Sequence, residues 1–143
     1  MLRVWCDGSS NGRSGSPTGW GYIIEQDGRP LYSDHGGESA GTNNTAEVTA
    51  AIEGLKGLEI CLDWHWRPEE SIVLCSDSMY TLNSALGVQA AVKNVELVNE
   101  LRNLYKRLCT DTFWVPGHSG HYFNEMCDKL AKKGRRERAL EGA

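Results

Sequence analysis

The order of its apolar runs constrains the fold of this chain more than any other feature. Three strand-like runs come first, joined only by short connections that contain Gly, Asp and Pro, such as Asp27-Gly28-Arg29-Pro30. This close spacing is typical of an antiparallel meander. Two more strand-like runs then alternate with stretches of helical periodicity. The five strands are predicted at Leu2–Cys6, Trp20–Glu25, Pro30–Ser33, Ile72–Ser76 and Thr112–Val115.

Helical periodicity dominates the rest of the chain. Apolar residues recur at the spacing of one helix face in Asn44–Leu58 and Val95–Leu108, and a last helix is predicted from about Tyr122. The stretch Cys61–Ser71 is interpreted as a loop. The predicted order is βββ-α-β-α-α-β-α, and a meander followed by βα units favours an α/β fold. We expect a five-stranded mixed sheet flanked by helices on both faces.

Length and composition predict a single cytoplasmic domain over residues 1–143. The chain has no internal repeat, no linker and no apolar run near the roughly 20 residues that cross a bilayer. Its first residues lack the layout of a signal peptide, so no membrane partner is expected. Five cysteines occur singly, with no Cys-x-x-Cys pair, which predicts free thiols in a reducing compartment.

Charge is distributed unevenly along the chain. The net charge is −4, but residues 129–143 hold six Lys/Arg and two Glu, so this basic C-terminal segment carries +4 and the remainder −8. An acidic body argues mildly against nucleic-acid binding if the charge is averaged. Clustered carboxylates that hold metal ions would account for part of the negative charge of residues 1–128.

Four acidic residues occur where predicted strands or helices begin or end. Asp7 and Asp77 follow two strands whose carboxyl ends share one edge if the strands are parallel. Glu47 lies in the first turn of the first long helix, and Asp128 near the start of the last. Any one of them alone is more often a turn former or helix cap. Together they would repel strongly unless divalent cations were bound.

Four short motifs contain these acids. The motifs are Asp7-Gly8-Ser9 with the Gly-rich stretch after it, Thr42-Asn43-Asn44-Thr45-Ala46-Glu47, Ser76-Asp77-Ser78-Met79-Tyr80, and Trp114-Val115-Pro116-Gly117-His118 with Asn124, Glu125 and Asp128. Together they resemble the motifs of the type 1 ribonuclease H family over nearly the whole chain, and each acid stands at its expected offset, in the expected order.

The resemblance implies a ribonuclease H-like fold and an endonuclease that hydrolyses the RNA strand of RNA–DNA hybrids. It implies two Mg²⁺ ions, or Mn²⁺, and products with 5′-phosphate and 3′-hydroxyl ends. The implied metal ligands are Asp7, Glu47, Asp77 and Asp128. His118 would assist proton movement or product release, although a histidine in a Gly-flanked surface loop is more often inert.

The resemblance also implies how substrate is held. Asn11, Asn43 and Asn44 would contact the minor groove, where 2′-hydroxyls mark the RNA strand, and Thr42 a DNA-strand phosphate. Asn44 is equally suited to cap the first helix. A dinucleotide site at the Gly-rich turn is weaker, because that turn leads into a strand.

The basic protrusion that grips the hybrid in many family members is absent. Only twelve uncharged residues, Thr81–Val92, separate Tyr80 from Lys93. We expect the basic C-terminal helix to supply part of this grip. The residues assigned to that role are Lys132, Lys133 and Arg136.

Two rival readings remain at this point. The first is a related nuclease for another substrate, such as double-stranded RNA. The second is an inactive module kept for nucleic-acid binding or protein interaction, although such modules usually lose a carboxylate. We expect a monomer, and the sequence leaves open whether a replication protein binds it.

Overall fold

A five-stranded mixed sheet forms the centre of the structure, a computed structural model that describes residues 1–65, 71–88, 93–117 and 119–142. The first three strands form an antiparallel meander, and the last two run parallel to the first, as predicted. The strand order is β3-β2-β1-β4-β5. The strands are β1 (Leu2–Ser9), β2 (Ser16–Gln26), β3 (Arg29–Gly41), β4 (Ile72–Ser76) and β5 (Asp111–Trp114).

The hairpin between β2 and β3 is longer than predicted. Asp27 and Gly28 both have positive φ, as the tight turn of a two-residue hairpin requires. Beyond the predicted end of β3 at Ser33, the strand continues to Gly41 and pairs with β2. Residues 34–41 are mostly polar or Gly, and each of them is either exposed or half-buried. Backbone pairing, which leaves no apolar alternation in the sequence, forms this half of the strand.

Helices cover both faces of the sheet, which confirms the predicted architecture. Three of them pack on one face, over a core that includes Val4, Ile24 and Leu74. The last helix packs on the other face, over Trp5, Ile23 and neighbouring residues. The helices are α1 (Asn43–His65), α2 (Met79–Leu86), α3 (Val95–Leu108) and α4 (Tyr122–Glu141).

Helix α1 runs through part of the segment that we interpreted as a loop. Its last turns comprise Cys61–His65, so that prediction is wrong there. Leu62 is buried in the same core as Leu55 and Leu58, because it continues their helical spacing. Residues 66–70 of the predicted loop lie outside the described residues.

The five cysteines are free thiols, as predicted. Cys6, Cys75 and Cys127 are buried in the apolar layers on either side of the sheet. They pack there as small hydrophobic residues. Within the described ranges, no helix combines the length and apolar character that crossing a membrane requires.

Glycines bring α4 into direct backbone contact with the meander. A Cβ atom at Gly19 would overlap the carbonyl oxygen of Ala131, and one at Gly134 would overlap that of Gly36. A side chain at Gly21 would also collide with Leu130. The Gly-rich start of β2 therefore serves helix packing, which the turn-based interpretation missed.

Candidate active site

Asp7 and Asp77 lie at the same edge of the sheet because β1 and β4 are parallel. The two strands pair from Leu2 beside Ile72 to Trp5 beside Cys75. Asp77 directly follows β4. The expectation that Asp7 ends its strand is wrong, since β1 continues through Ser9, paired there with β2 alone.

Gly8 places Glu47 beside Asp7. A Cβ atom at Gly8 would overlap the backbone of Ala46 and Glu47, so the first turn of α1 rests directly on β1. Thr42 anchors this helix start: its Oγ1 accepts from the Thr45 N–H at 3.2 Å, and the Thr45 Oγ1 accepts from the Thr42 N–H at 2.7 Å. Thr42 thus caps α1, and the alternative that Asn44 caps it is wrong.

Three carboxylates meet at this point. One oxygen from each of Asp7, Glu47 and Asp77 lies within 4.8 Å of the others. Asp7 is only 4% exposed. The Glu47 Oε2 atom is buried and has no hydrogen-bond partner within the described part of the chain. Such an arrangement concentrates negative charge where little water can screen it.

Burial and mutual repulsion raise the pKa values of this cluster. Burial, followed by the charge of Asp77, raises the pKa of Asp7 to about 7. Burial also raises the pKa of Glu47 well above its ordinary value, with the charges of Asp7 and Asp77 adding to the shift. The folded protein therefore favours protons, or another positive charge, at this place.

Asp128 lines the same cavity from α4 but stands apart from the other three acids. It is not a member of the group within 4.8 Å. Its Oδ2 atom accepts an ion pair from Lys132 Nζ at 2.9 Å, one helical turn away. The cavity has a volume of about 190 Å³, and its lining is Asp7, Gly8, Glu47, Asp77, Asn124, Glu125 and Asp128.

Asn124 is a cavity residue to which sequence reasoning assigned no role. It is 4% exposed, and its Oδ1 atom is buried without a hydrogen-bond partner among the residues described. It precedes Asp128 by four positions on α4, so the two share a helix face. That spacing was the available signal.

The turn that carries Asp77 is held by hydrogen bonds from both sides. Ser78 caps α2, its Oγ accepting from the Thr81 N–H at 3.1 Å. The Trp114 indole donates to the Asp77 carbonyl oxygen at 3.1 Å. Nothing in the spacing of Trp114 marked this contact in advance.

Three of the predicted substrate-binding residues lie in the loop after β1 and at the start of α1, and they are not among the residues that line the cavity. Asn11 is exposed in the loop after β1, and its Oδ1 accepts from the Arg13 N–H at 2.9 Å. Asn43 begins α1, and its Oδ1 accepts from the Ser10 hydroxyl. Asn44 is exposed beside it. Both engaged carbonyl oxygens leave an amide N–H₂ group to offer to a ligand.

The basic residues of α4 that were predicted to hold substrate have different surroundings. Lys133 and Arg136 are exposed, whereas Lys132 pairs with Asp128. Arg135 turns back and donates to the carbonyl oxygen of Ser10 at 2.7 Å. His118, the predicted loop histidine, lies outside the described residues.

Known proteins are similar to this chain in sequence and in fold. The family model described as RNase H matches residues 1–136. A Ribonuclease H of Coxiella burnetii (strain Dugway 5J108-111) is 37% identical over 158 residues, covering 100% of this chain and 95% of the relative. A Ribonuclease HI of Neisseria meningitidis serogroup A is 33% identical, covering 92% of each protein.

A solved structure agrees with the fold. LC11-RNase H1, isolated from compost by a metagenomic approach, was determined in complex with an RNA/DNA hybrid. It superposes with a TM-score of 0.79 at 20% identity, covering 96% of this chain and 98% of that one. The sequence relatives confirm the expectation of a hydrolase enzyme. With its acidic cluster, its mixed sheet and a family match over most of its length, this chain belongs to the RNase H family.

Proposed function

We propose that this chain is an endonuclease that hydrolyses the RNA strand of RNA–DNA hybrids with the help of two divalent metal ions. The products would carry 5′-phosphate and 3′-hydroxyl ends. Family membership supports the ribonuclease activity. The complex of LC11-RNase H1 with an RNA/DNA hybrid supports the choice of substrate.

The observation that carries this proposal is the cluster of Asp7, Glu47 and Asp77, with its buried carboxylate oxygen on Glu47. Leaving a charged oxygen buried without a partner is costly. Mg²⁺ and Mn²⁺ are hard cations that take oxygen ligands, so the donor set fits either ion. We assign the metal ligands to these three residues and to Asp128.

When bound, the two ions would activate the attacking water and stabilise the leaving oxygen. The chain itself holds the carboxylates in place through β1, the turn after β4 and the first turn of α1. Asp128 differs from the other three, because Lys132 already pairs with its Oδ2 atom and shares the carboxylate with any metal ion that binds there. We assign His118 to proton movement or product release on the resemblance alone.

Recognition of the hybrid is assigned to the loop after β1 and the start of α1. The amide groups of Asn11, Asn43 and Asn44 suit contacts to 2′-hydroxyls in the minor groove, which distinguish RNA from DNA. Thr42 stands at a helix N-terminus, where backbone N–H groups favour a phosphate. These contacts read the shape and sugar of the duplex and need no particular base.

The phosphate grip is assigned to α4, because the sequence between Tyr80 and Lys93 contains no charged residue that could supply it. Helix α2 ends at Leu86, and Gly87 follows in the left-handed conformation. Lys133 and Arg136 are exposed on α4, and Lys132 is close to the cavity through its contact with Asp128. We expect the chain to act as a monomer in the cytoplasm, and a replication-protein partner stays a prediction.

One assay tests the proposal. The protein is incubated with labelled RNA–DNA hybrid, duplex RNA, single-stranded RNA and duplex DNA, with Mg²⁺ or Mn²⁺. We expect cleavage of the hybrid alone, and none in EDTA. Cleavage of duplex RNA instead would favour a nuclease for another substrate. Activity on none of the four would favour a binding module.

A further inference from the structure

Arg135 connects α4 to the loop that follows β1. Its Nη1 atom donates to the carbonyl oxygen of Ser10 at 2.7 Å, over a separation of 125 residues along the chain. The contact is partly buried. A charged donor on a carbonyl oxygen makes a stronger hydrogen bond than a neutral one. Arg135 is therefore fixed to the loop by its side chain.

Ser10 continues this connection to α1. Its hydroxyl donates to Asn43 Oδ1 and accepts from the Gly12 N–H at 3.1 Å. The next residue, Asn11, accepts from the Arg13 N–H at 2.9 Å. One residue thus links Arg135 to both elements that carry the proposed minor-groove contacts.

The helix that carries Arg135 has little freedom to move. Gly19 on β2 lies so close to α4 that a Cβ atom there would overlap the Arg135 backbone nitrogen. The guanidinium group therefore extends from a fixed point on the helix, and the loop residue that it holds is fixed in turn.

We propose that Arg135 is a positioning residue for substrate recognition, which holds Asn11 and Asn43 at the spacing that the RNA strand of a hybrid requires. The proposal rests on the proposed function, since it concerns the hybrid. A different role would be a plain phosphate contact, in which the charge alone matters. The two roles differ in what the residue does for RNA as against DNA.

The test compares Arg135→Met with Arg138→Met. Methionine keeps the aliphatic stem and removes the donor and the charge in both. Arg138 lies on the same helix but pairs with Glu141 at 2.8 Å. Binding of a fluorescent hybrid and of a DNA duplex with the same DNA strand is measured by anisotropy in EDTA, where a metal-dependent nuclease cannot cut. Hydrogen exchange at the Gly12 and Arg13 amides reports on the loop.

We expect Arg135→Met to raise the Kd for hybrid about tenfold, the size of one charge-assisted hydrogen bond. The Kd for DNA duplex should change far less, so the preference for hybrid falls. Exchange at Gly12 and Arg13 should accelerate. Arg138→Met should change both Kd values by one small factor and leave exchange unaltered.

Three outcomes would overturn the proposal. Equal losses for hybrid and DNA duplex would make Arg135 a phosphate contact. Unchanged exchange at the two amides would show that Arg135 does not hold the loop. A wild-type protein without preference for hybrid would leave nothing for the residue to position. A wild type that prefers hybrid but never cuts it would refute the proposed function, while the ratio of Kd values would still decide the role of Arg135.

Discussion

Lys132 and Asp128 form an ion pair across one turn of α4, with 2.9 Å between the lysine Nζ and the aspartate Oδ2 atoms. The lysine therefore occupies the one carboxylate of the proposed metal site that stands apart from the other three. A divalent ion that binds Asp128 must therefore either share this carboxylate with a positive charge supplied by the chain itself or displace that charge.

Replacing Lys132 with Gln should strengthen metal binding. The Mg²⁺ concentration that gives half-maximal cleavage should fall by about two- to fivefold, the range for a partly exposed ion pair. A Mg²⁺ titration at saturating hybrid measures this. Lys129→Gln, which removes an exposed charge beside Asp128, serves as the control. An unchanged midpoint in Lys132→Gln would show that the pair does not compete.

Replacing Asp77 with Asn should abolish cleavage and preserve the fold. The shape is nearly unchanged, but the proposed site loses a ligand charge. The protein without metal should become more stable, because the charge of Asp77 raises the pKa of Asp7 and so disfavours its ionised form. Cleavage rates with Mg²⁺ and the Tm in EDTA measure both effects. More than a tenth of wild-type activity would contradict the metal assignment.

The stability of the metal-free protein should fall as pH rises from about 5 to 8. The pKa of Asp7 is about 7 in the folded protein and near 4 in an unfolded chain. The folded state therefore binds the proton on Asp7 more tightly than the unfolded chain does. The stability that this provides at low pH is lost as pH rises through 7. The loss is up to about 4 kcal/mol for this group. Urea unfolding in EDTA at several pH values measures it.

Asp7→Asn is the control for that pH profile. Asparagine does not titrate, so the slope between pH 5 and 8 should flatten, leaving the contribution of Glu47, whose pKa is also raised by burial. Saturating Mg²⁺ should flatten the wild-type profile as well, since bound cations favour the ionised carboxylates. A wild-type slope that survives in Asp7→Asn would mean that other groups cause it.

Neutralising Lys133 and Arg136 together should weaken the grip on the hybrid without slowing the chemical step. The KM should rise, kcat should hold, and the log–log salt slope of binding should flatten by somewhat less than one unit for each lost phosphate contact. The matched control removes two exposed charges elsewhere, Arg29 and Lys106, in the form of Gln. Identical behaviour of the two double variants would show that Lys133 and Arg136 do not contact the hybrid.

Replacing His118 with Ala should slow turnover more mildly than any loss of a carboxylate. Help with proton transfer contributes roughly 10²- to 10⁴-fold, and the Kd for hybrid should hardly change. Single-turnover kinetics beside a binding titration separate the two quantities. Normal turnover would return His118 to an inert surface histidine.

The architecture was predictable where burial produces a recognisable pattern of apolar residues in the sequence. β1 and β4 stand out as nearly continuous apolar runs, because both faces of the sheet are covered there, and the buried face of α1 stands out because its apolar residues recur at helical spacing. The outer half of β3 was missed, since none of its residues 34–41 is fully buried and the strand is formed there by backbone pairing with β2. The last turns of α1 were missed because Leu62 stood among polar and aromatic residues that suggested a loop.

The acidic cluster was predictable from chain order, because parallel strands place the residues after them at one edge. The position of Asp128 was not. Its place depends on how α4 lies across the sheet, although the i,i+4 spacing of Asp128 and Lys132 was a signal for their ion pair. The contact of Arg135 with the loop after β1 was missed because its partner is a backbone oxygen 125 positions away, and any residue could provide one.

The direct contact between α4 and the meander depends on glycines, so adding even one methyl group there would disturb the active site. Alanine at Gly134 would add up to about 1 kcal/mol of helix propensity, a change that stability engineering favours. Here the added methyl group would press against Gly36 and push the helix outward. Asp128 would then move away from the other three carboxylates, which remain on β1, α1 and the turn after β4. The overlap with backbone atoms outweighs the gain in helix propensity, so the glycine that looks like a target for stabilisation is one that both the packing of α4 and the position of Asp128 require.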